Sequence, residues 1–187
     1  VNKQPMDVAI KGECIACVAE NIPLEEAKRV VEVKGLYVTP GLVDIHLHIF
    51  TGVQPHYLSA SAVPVRTGCT TVVDAGSAGW KIFEEVKAKV IDTARIRVLA
   101  LLNIAGSGMM SLESSRIRYE QDPAEWDVVA TADMIDRYPE TIVGIKSAHY
   151  MGAGFESIDA AVHVGRLTRT PIMVDFWTKP TSTYEDM

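Results

Sequence analysis

The chain has 187 residues, of which 48% are hydrophobic and 22% are charged, and its net charge is −6. This is an ordinary globular composition, and it contains no apolar run of about 18 residues that would predict a transmembrane helix. The acidic balance and the lack of a basic cluster argue against nucleic acid as a partner, and we expect no membrane partner either.

Residues 6–38 are predicted to form short strands of a small β-domain. Two apolar runs, 6–10 and 14–18, flank Lys11-Gly12, which is a hairpin signal. A further strand is predicted over residues 29–34. These segments predict an antiparallel start to the chain.

Cys14 and Cys17 have the CxxC spacing of some zinc and redox sites. On a strand, residues three apart point to opposite faces, so we interpret both as small apolar filler. With Cys69 the cysteine count is odd, and the N-terminus has no secretory pattern. Both observations favour a cytoplasmic location.

The sequence after Thr39-Pro40-Gly41 predicts a strand over residues 43–49. Because strand side chains alternate, Asp44, His46 and His48 are predicted on one face. The opposite face is apolar and is predicted to be buried under helices. Two imidazoles on one face can bind a single metal ion, zinc for example. The alternative is a pair of core histidines satisfied by hydrogen bonds.

From Gly41 onward, strands alternate with helices. Strands are predicted at 43–49, 70–75, 96–103, 142–146 and 171–176, and helices at 57–66, 80–92, 124–138 and 156–168. Asp122 is predicted as a helix cap, with Pro123 at the first helical position. This order predicts right-handed βαβ units and a parallel sheet.

The predicted loop 104–122 is long for a connection between a strand and a helix. In a βα barrel, a loop of this kind lies on the catalytic face. Arg116 and Arg118 would be able to reach a substrate carboxylate from it. The alternative is a solvated loop with no role in binding.

Lys146 closes the predicted strand 142–146, where alternation places it with Ile142 and Gly144. A buried ammonium is costly, so Lys146 should be paired, neutralised or modified. Addition of the neutral amine to carbon dioxide would give an anionic carbamate that bridges two metals. A salt bridge to Asp44 or Asp175 is the alternative.

Four further polar residues are candidates at the carboxyl ends of strands and in the loops beyond. Asp175 ends the last predicted strand, as a metal ligand or a partner of a histidine. His149 and Tyr150 follow Lys146 and would contact substrate, or else lie simply at the surface. Asp74 is predicted as a hydrogen-bond acceptor that braces a loop.

Three segments resemble those of a known family. Residues 39–48, TPGLVDIHLH, resemble the first barrel strand of the amidohydrolase superfamily, and residues 68–79, GCTTVVDAGSAG, resemble the second strand and loop of its amidohydrolase/deacetylase, dihydroorotase-like branch. Residues 144–146 resemble its carboxylated-lysine strand. The resemblance implies a TIM-type (β/α)₈ barrel with one or two divalent metals, usually zinc.

The resemblance implies that His46 and His48 bind a metal ion and that carboxylated Lys146 bridges two metal ions. A metal-activated water would then cleave a carbon–nitrogen bond in a cyclic amide or an N-acyl group. Ester or N-acyl deacetylation on the same site is an alternative, and so is a non-catalytic α/β binding module. The substrate would be a small amide or ester, with Lys146 and Asp175 as catalytic residues and His149, Tyr150 and Arg118 as substrate contacts.

The sequence departs from the family in two ways. Asp175 stands where the family's fifth strand usually ends in a metal-binding histidine. The sequence also ends shortly after that strand, which predicts an incomplete barrel of about five βα units. We therefore expect an N-terminal fragment with a partial β-sandwich over 1–40 and a partial barrel over 41–187. Its open sheet edges predict self-association.

Overall fold

The computed structural model describes residues 5–49, 62, 67–109 and 119–175. The chain divides into two compact units, Val1–Pro40 and Gly41–Met187. The predicted helix 57–66 and the two arginines of the long loop fall outside the described residues. No helix among those described is long and apolar enough to cross a membrane.

The first unit contains the predicted hairpin. Strands β1 (Asp7–Lys11) and β2 (Cys14–Ala19) pair in antiparallel fashion. Gly12 in the turn has φ +63°, a conformation that glycine adopts without a steric penalty. The prediction of a strand over residues 29–34 is wrong, because this segment pairs with no strand in the structure.

The prediction that Cys14 and Cys17 are small apolar filler in a core is wrong. Both side chains are exposed and both thiols are free. The hairpin lies on the surface of its unit, with the apolar side chains of Ile10 and Ile15 exposed as well. Alternation alone therefore predicted the strands but not their burial.

The second unit is built on one parallel sheet in the order β3-β4-β5-β6-β7. Its strands are β3 (Leu42–Leu47), β4 (Cys69–Gly79), β5 (Arg97–Asn103), β6 (Ile142–Ala148) and β7 (Ile172–Asp175). Each strand pairs with its neighbours in sequence, which is the order of strands in a βα barrel. All five predicted strands of this unit are present, and β4 is longer than predicted.

Helices lie between β4 and β5, between β5 and β6, and between β6 and β7. They are α1 (Phe83–Val86), which continues as a π-helical turn over Lys87–Ile91, α2 (Val128–Arg137) and α3 (Glu156–Thr168). Asp122 is a cap, but it caps a short 3₁₀ turn that begins at Pro123 and not the longer helix that the sequence predicted to start there. The cap of α2 itself is Asp127, whose carboxylate accepts from the N–H groups of Val129 and Ala130.

The main core lies between the sheet and these helices. It contains Phe83 from α1, Leu102 from β5, Met134 from α2, Ile145 from β6 and Val164 from α3. Complete burial of each large apolar side chain contributes about 1.5–3 kcal/mol. This layer fixes the positions of β4, β5 and β6, on which the polar residues of the inner face depend.

Strand β6 contains a register shift that the sequence did not indicate. Ala100 pairs with Ile142, but Leu101 pairs with Gly144, so Val143 is an extra residue. Ile142 therefore belongs to the helix-side core and not to the face of Lys146, where alternation had placed it. Only Gly144 and Lys146 keep the predicted common face.

Strand β3 also departs from the prediction. Val43 and Ile45 are 58% and 61% exposed, so the expectation that this apolar face is buried is wrong for them. A second register shift lies between Asp44 and Leu47. The carboxylate of Asp44 accepts a hydrogen bond from the backbone N–H of His46 at 3.0 Å.

Candidate active site

The histidine face of β3 and the end of β7 come together. His46 Nε2 lies 3.9 Å from Asp175 Oδ2, although β3 and β7 are the two outermost strands of the five-stranded sheet. Four strand spacings in a flat sheet would separate them by about 19 Å. The sheet therefore curls into a half-barrel, and side chains from both edges meet on its inner face.

Lys146 is the centre of this group. Its side chain is 0% exposed, and Nζ lies 2.7 Å from Asp175 Oδ2. Apart from this ion pair, Nζ has no hydrogen-bond partner among the described residues. An ammonium group has three N–H donors, so most of its hydrogen-bonding capacity is unused in a buried position.

Gly76 makes room for the Lys146 side chain. A Cβ atom at Gly76 would lie 2.5 Å from Lys146 Cγ, and the φ of Gly76 is +86°. Asn103 holds this turn, since its Nδ2 donates to the carbonyl oxygen of Gly76 at 2.9 Å. The lysine stem is thus packed against backbone that no larger residue could provide.

The electrostatics of Asp175 follow from this neighbour. Burial acts to raise the pKa of Asp175, but the contact with Lys146 and the lesser charges of His46 and His149 hold it below its ordinary value. Asp175 is therefore an ionised carboxylate. It is the negative charge that compensates the buried lysine.

His48 lies deeper than His46 on the same strand end. Its pKa is lowered to about 4, by burial first and then by the charges of His46 and Lys146. The two imidazole rings lie edge to face, with centroids 5.7 Å apart. A neutral imidazole is the form that binds a metal, so the chemical state of His48 suits a ligand.

His48 Nδ1 lies 3.0 Å from the hydroxyl of Ser77, which in turn donates to Asp74 at 2.8 Å. Asp74 is buried and also accepts from the N–H groups of Ser77 and Ile49. Burial raises the pKa of Asp74, and these donors oppose the rise. The prediction that Asp74 braces a loop through hydrogen bonds is confirmed.

His149 lies on the loop after β6, with φ +58°. Its Nδ1 is 3.1 Å from both carboxylate oxygens of Glu120, a buried residue of the 3₁₀ turn Tyr119–Gln121. The hydrogen bond to Glu120 raises the pKa of His149 against the opposing effect of burial. Gln121 fixes the same loop by bonding the carbonyl of His149 and the N–H of Met151.

Tyr150 packs edge-on against Trp126, with ring centroids 5.0 Å apart. Burial and a hydrogen bond to Glu156 raise the pKa of its hydroxyl. Arg118 lies outside the described residues, so its predicted substrate contact stays a prediction. His163 is exposed on α3.

The donor set tests whether a metal fits. Within the described ranges, no three His, Cys, Asp or Glu side chains are close enough to hold a metal ion by themselves. His46, His48 and Asp175 nevertheless border a buried lysine that has few partners. The residues therefore fit a metal if Lys146, in an anionic form, supplies the additional ligand.

Sequence reasoning missed Ser77 and Glu120. Ser77 belongs to the stretch 68–79, in which only Asp74 was predicted to be a hydrogen-bond acceptor. Glu120 had no signal, because a single carboxylate in a long loop resembles any solvated residue.

Comparisons with known proteins agree with this architecture. A deacetylase of Agrobacterium fabrum is 27% identical over 179 residues, covering 93% of this chain and 44% of the relative. The crystal structure of an adenine deaminase matches with a TM-score of 0.83 at 27% identity, covering 94% of this chain and 48% of that one. A dihydroorotase structure matches with a TM-score of 0.75 at 27% identity, covering 92% and 47%.

The chain thus spans about half the length of these relatives. No protein-family model matches it. The two structural likenesses confirm the prediction of a TIM-type barrel architecture, of which the five parallel strands form part.

Proposed function

We propose, because the chain belongs to the amidohydrolase superfamily, that it acts as a metal-dependent hydrolase of a carbon–nitrogen bond. The bond lies in a cyclic amide or an N-acyl group of a small molecule. The deacetylase, the adenine deaminase and the dihydroorotase to which the chain is similar are hydrolases of carbon–nitrogen bonds.

One observation carries the proposal. His46 and Asp175, from opposite edges of the sheet, meet at 3.9 Å beside the fully buried Lys146. A lysine in that position has no role in packing the helix-side core. Its ion pair with Asp175 leaves most of its donors unmet, which is costly unless the group is used.

His46, His48, Lys146 and Asp175 would hold one or two divalent ions, with zinc the expected metal. Histidine nitrogens suit zinc, and a carboxylate in place of a third histidine also admits harder metals. When bound, such an ion lowers the pKa of a water molecule and polarises the scissile carbonyl.

Lys146 joins the ligand set as a carbamate. The neutral amine adds to carbon dioxide, a nitrogen–carbon bond forms and one N–H proton leaves for solvent. Since the amine first forms from the ammonium group by loss of another proton to solvent, two protons leave in all, and the cation would become an anion with two oxygen donors. This change would also separate Lys146 from Asp175, because two anions no longer attract each other, and would release Asp175 as a ligand.

The loop after β6 is the proposed substrate-binding element, with His149 and Tyr150 as contacts and Arg118 as a third. Glu120 orients His149 through Nδ1. With Nδ1 donating to Glu120, Nε2 of His149 is a hydrogen-bond donor to a substrate oxygen in the protonated ring, the form that the raised pKa of His149 favours.

A second activity on the same site is N-acyl or ester deacetylation. The observation that favours it is the likeness to a deacetylase, which covers 93% of this chain. The two activities differ in the substrate that is turned over. A panel that pairs cyclic amides such as dihydroorotate with N-acetyl amino acids and acetyl esters would separate them.

The first test measures metal content per chain by elemental analysis, on protein purified without chelator and with bicarbonate present. We expect about one or two equivalents of divalent metal. The variant that combines His46→Ala with His48→Ala should lose it. Carboxylation of Lys146 should appear as carbon-13 bicarbonate incorporation, observed by NMR, and should be absent from Lys146→Met.

The matched control is His163→Ala, which removes an exposed histidine of α3 and should keep the full metal content. Metal retained by the double variant would refute the proposed ligands. A metal-free preparation that hydrolyses the panel as fast as the loaded one would refute the metal mechanism. Specific binding of a small molecule without turnover would favour a binding module.

A further inference from the structure

A chain of hydrogen bonds runs from β4 to His48. Ser77 Oγ lies 2.8 Å from Asp74 Oδ2 and 3.0 Å from His48 Nδ1. Asp74 is 5% exposed and Ser77 is 2% exposed, so the bond between them is shielded from water, and the bond to His48 is partly shielded. Shielding matters because water cannot replace a partner that is lost or wrongly oriented.

The direction of these bonds follows from a count of protons. Asp74 Oδ1 accepts from the N–H of Ser77 at 2.7 Å, and Oδ2 accepts from the N–H of Ile49 at 3.1 Å. Both carboxylate oxygens are thus acceptors, and the hydroxyl of Ser77 can satisfy Oδ2 only by donating its single proton. Ser77 Oγ is then left as an acceptor toward His48.

We propose that Asp74 and Ser77 are positioning residues that hold His48 as its Nδ1–H tautomer, so that Nε2 is the nitrogen able to bind a metal. The inference rests on the proposed function for the metal, but the tautomer belongs to the protein itself. A ring nitrogen that carries a proton cannot be a metal ligand, and a partner at the other nitrogen decides which one carries it.

The same network fixes where the ring lies. Asp74 belongs to β4, and its bond to the N–H of Ile49 reaches the segment that directly follows β3 and His48. The carboxylate therefore ties the ends of two neighbouring strands together. Ring orientation and tautomer are set by one buried group.

The first test is NMR of the metal-free chain with nitrogen-15 histidine. Long-range proton–nitrogen correlations distinguish the two neutral tautomers, and the His48 signals are assigned by their loss in His48→Ala. We expect Nδ1–H in the unaltered chain. In Ser77→Ala the acceptor is gone, and the Nδ1–H population should fall while the bonds from Asp74 to the backbone remain.

Asp74→Asn is the sharper variant. Its amide Nδ2 would donate to Ser77 Oγ, and the hydroxyl proton would then turn toward His48 Nδ1. The tautomer of His48 should invert to Nε2–H. Because Nδ2 also faces the N–H of Ile49, this variant will be less stable, and Ser77→Ala gives a test that does not depend on its folding.

Zinc affinity, measured by competition with a chromophoric chelator, is the second measurement. Loss of such an outer partner typically weakens metal binding about 10–100-fold, and we expect that range for Ser77→Ala. The control is Ser157→Ala, which deletes another buried hydroxyl, bonded to Ser147 at 3.1 Å. It should leave both zinc affinity and the His48 tautomer unchanged.

An Nε2–H tautomer in the unaltered chain would overturn the proposal, and so would an unchanged Nδ1–H population in Ser77→Ala. Equal loss of zinc affinity in Ser77→Ala and Ser157→Ala would assign the effect to general destabilisation. If the unaltered chain binds no zinc but shows the expected tautomers, the proposed function fails while the positioning of His48 stands.

Discussion

Strands β6 and β3 carry the most informative site residues, but they differ in how they are held. In β6, Ile145 packs into the helix-side core while Lys146 is fully buried on the inner face. In β3, an edge strand, Ile45 is 61% exposed and the side chain of His46 is also partly exposed. Alternation predicts which residues share a face, whereas position in the sheet decides whether that face is covered.

The largest expected effect compares two isoleucines. Ile145→Ala should lower the free energy of unfolding by about 2–5 kcal/mol, because it leaves a cavity among packed side chains. Ile45→Ala should change it by less than about 0.5 kcal/mol, because most of its side chain is already in water. Urea denaturation measures both.

Similar losses for the two isoleucine variants would mean that β3 is covered in solution. That result would contradict the exposed edge and would support the predicted self-association. Light scattering on the same samples would distinguish an assembly from a rearranged monomer.

The next effect compares two glycines that both have positive φ. Gly76→Ala should cost about 2–4 kcal/mol, since backbone strain is added to overlap with Lys146. Gly12→Ala, in the open turn of the hairpin, meets no atom within 4 Å and should cost only about 1 kcal/mol from strain. Equal costs would show that Lys146 does not pack against Gly76 as described.

The smallest effect concerns the loop after β6. The pKa of His149 is raised, chiefly by its hydrogen bond to Glu120, with Asp175 adding to the rise and Lys146 opposing it. A raised pKa means that this stabilisation is complete below the unfolded value of about 6.5 and is lost as pH rises through the folded value. Melting temperature should therefore fall across that window, and Glu120→Gln should flatten the fall.

The control for this pH profile is Glu125→Gln. Glu125 is a buried carboxylate like Glu120, but it pairs with Lys81 at 2.6 Å and not with a histidine of the described residues. Its loss should lower stability without altering the pH dependence above about 6.5. If the pH dependence of the melting temperature is unchanged in Glu120→Gln, the ion pair between Glu120 and His149 is not its cause.

The sequence predicted the elements of the second unit well because their signals are local. The strand of Ile145 is a run of apolar residues between breakers, and the turn at Asp122-Pro123 is a cap with its own chemistry. Register was not predictable, because an extra residue such as Val143 is recognised only from what the neighbouring strand pairs with.

The candidate site was predicted in the same uneven way. His46, Lys146 and Asp175 were visible because each is a polar residue within or at the end of an apolar strand, where burial of a polar side chain is costly. Ser77 and Glu120 were not, since their roles depend on which residues fold against them. The predicted strand 29–34 is absent for a related reason: its apolar pattern is local, but a strand also needs a neighbouring strand to pair with, and this segment has none in the structure.

The extra residue in β6 has a practical consequence for alignment and redesign. The strand consists of two short stretches that are out of phase by one position, with Val143 as the joint between them. Alternation counted back from Lys146 places Gly144 on the correct face of the strand. It places Ile142 on the wrong face, because Val143 interrupts the alternation. A graft that deletes Val143 would restore simple alternation and leave Ile142 in the hydrophobic layer, whereas a graft that keeps Val143 in a regular pairing would turn Ile142 toward the face of Lys146.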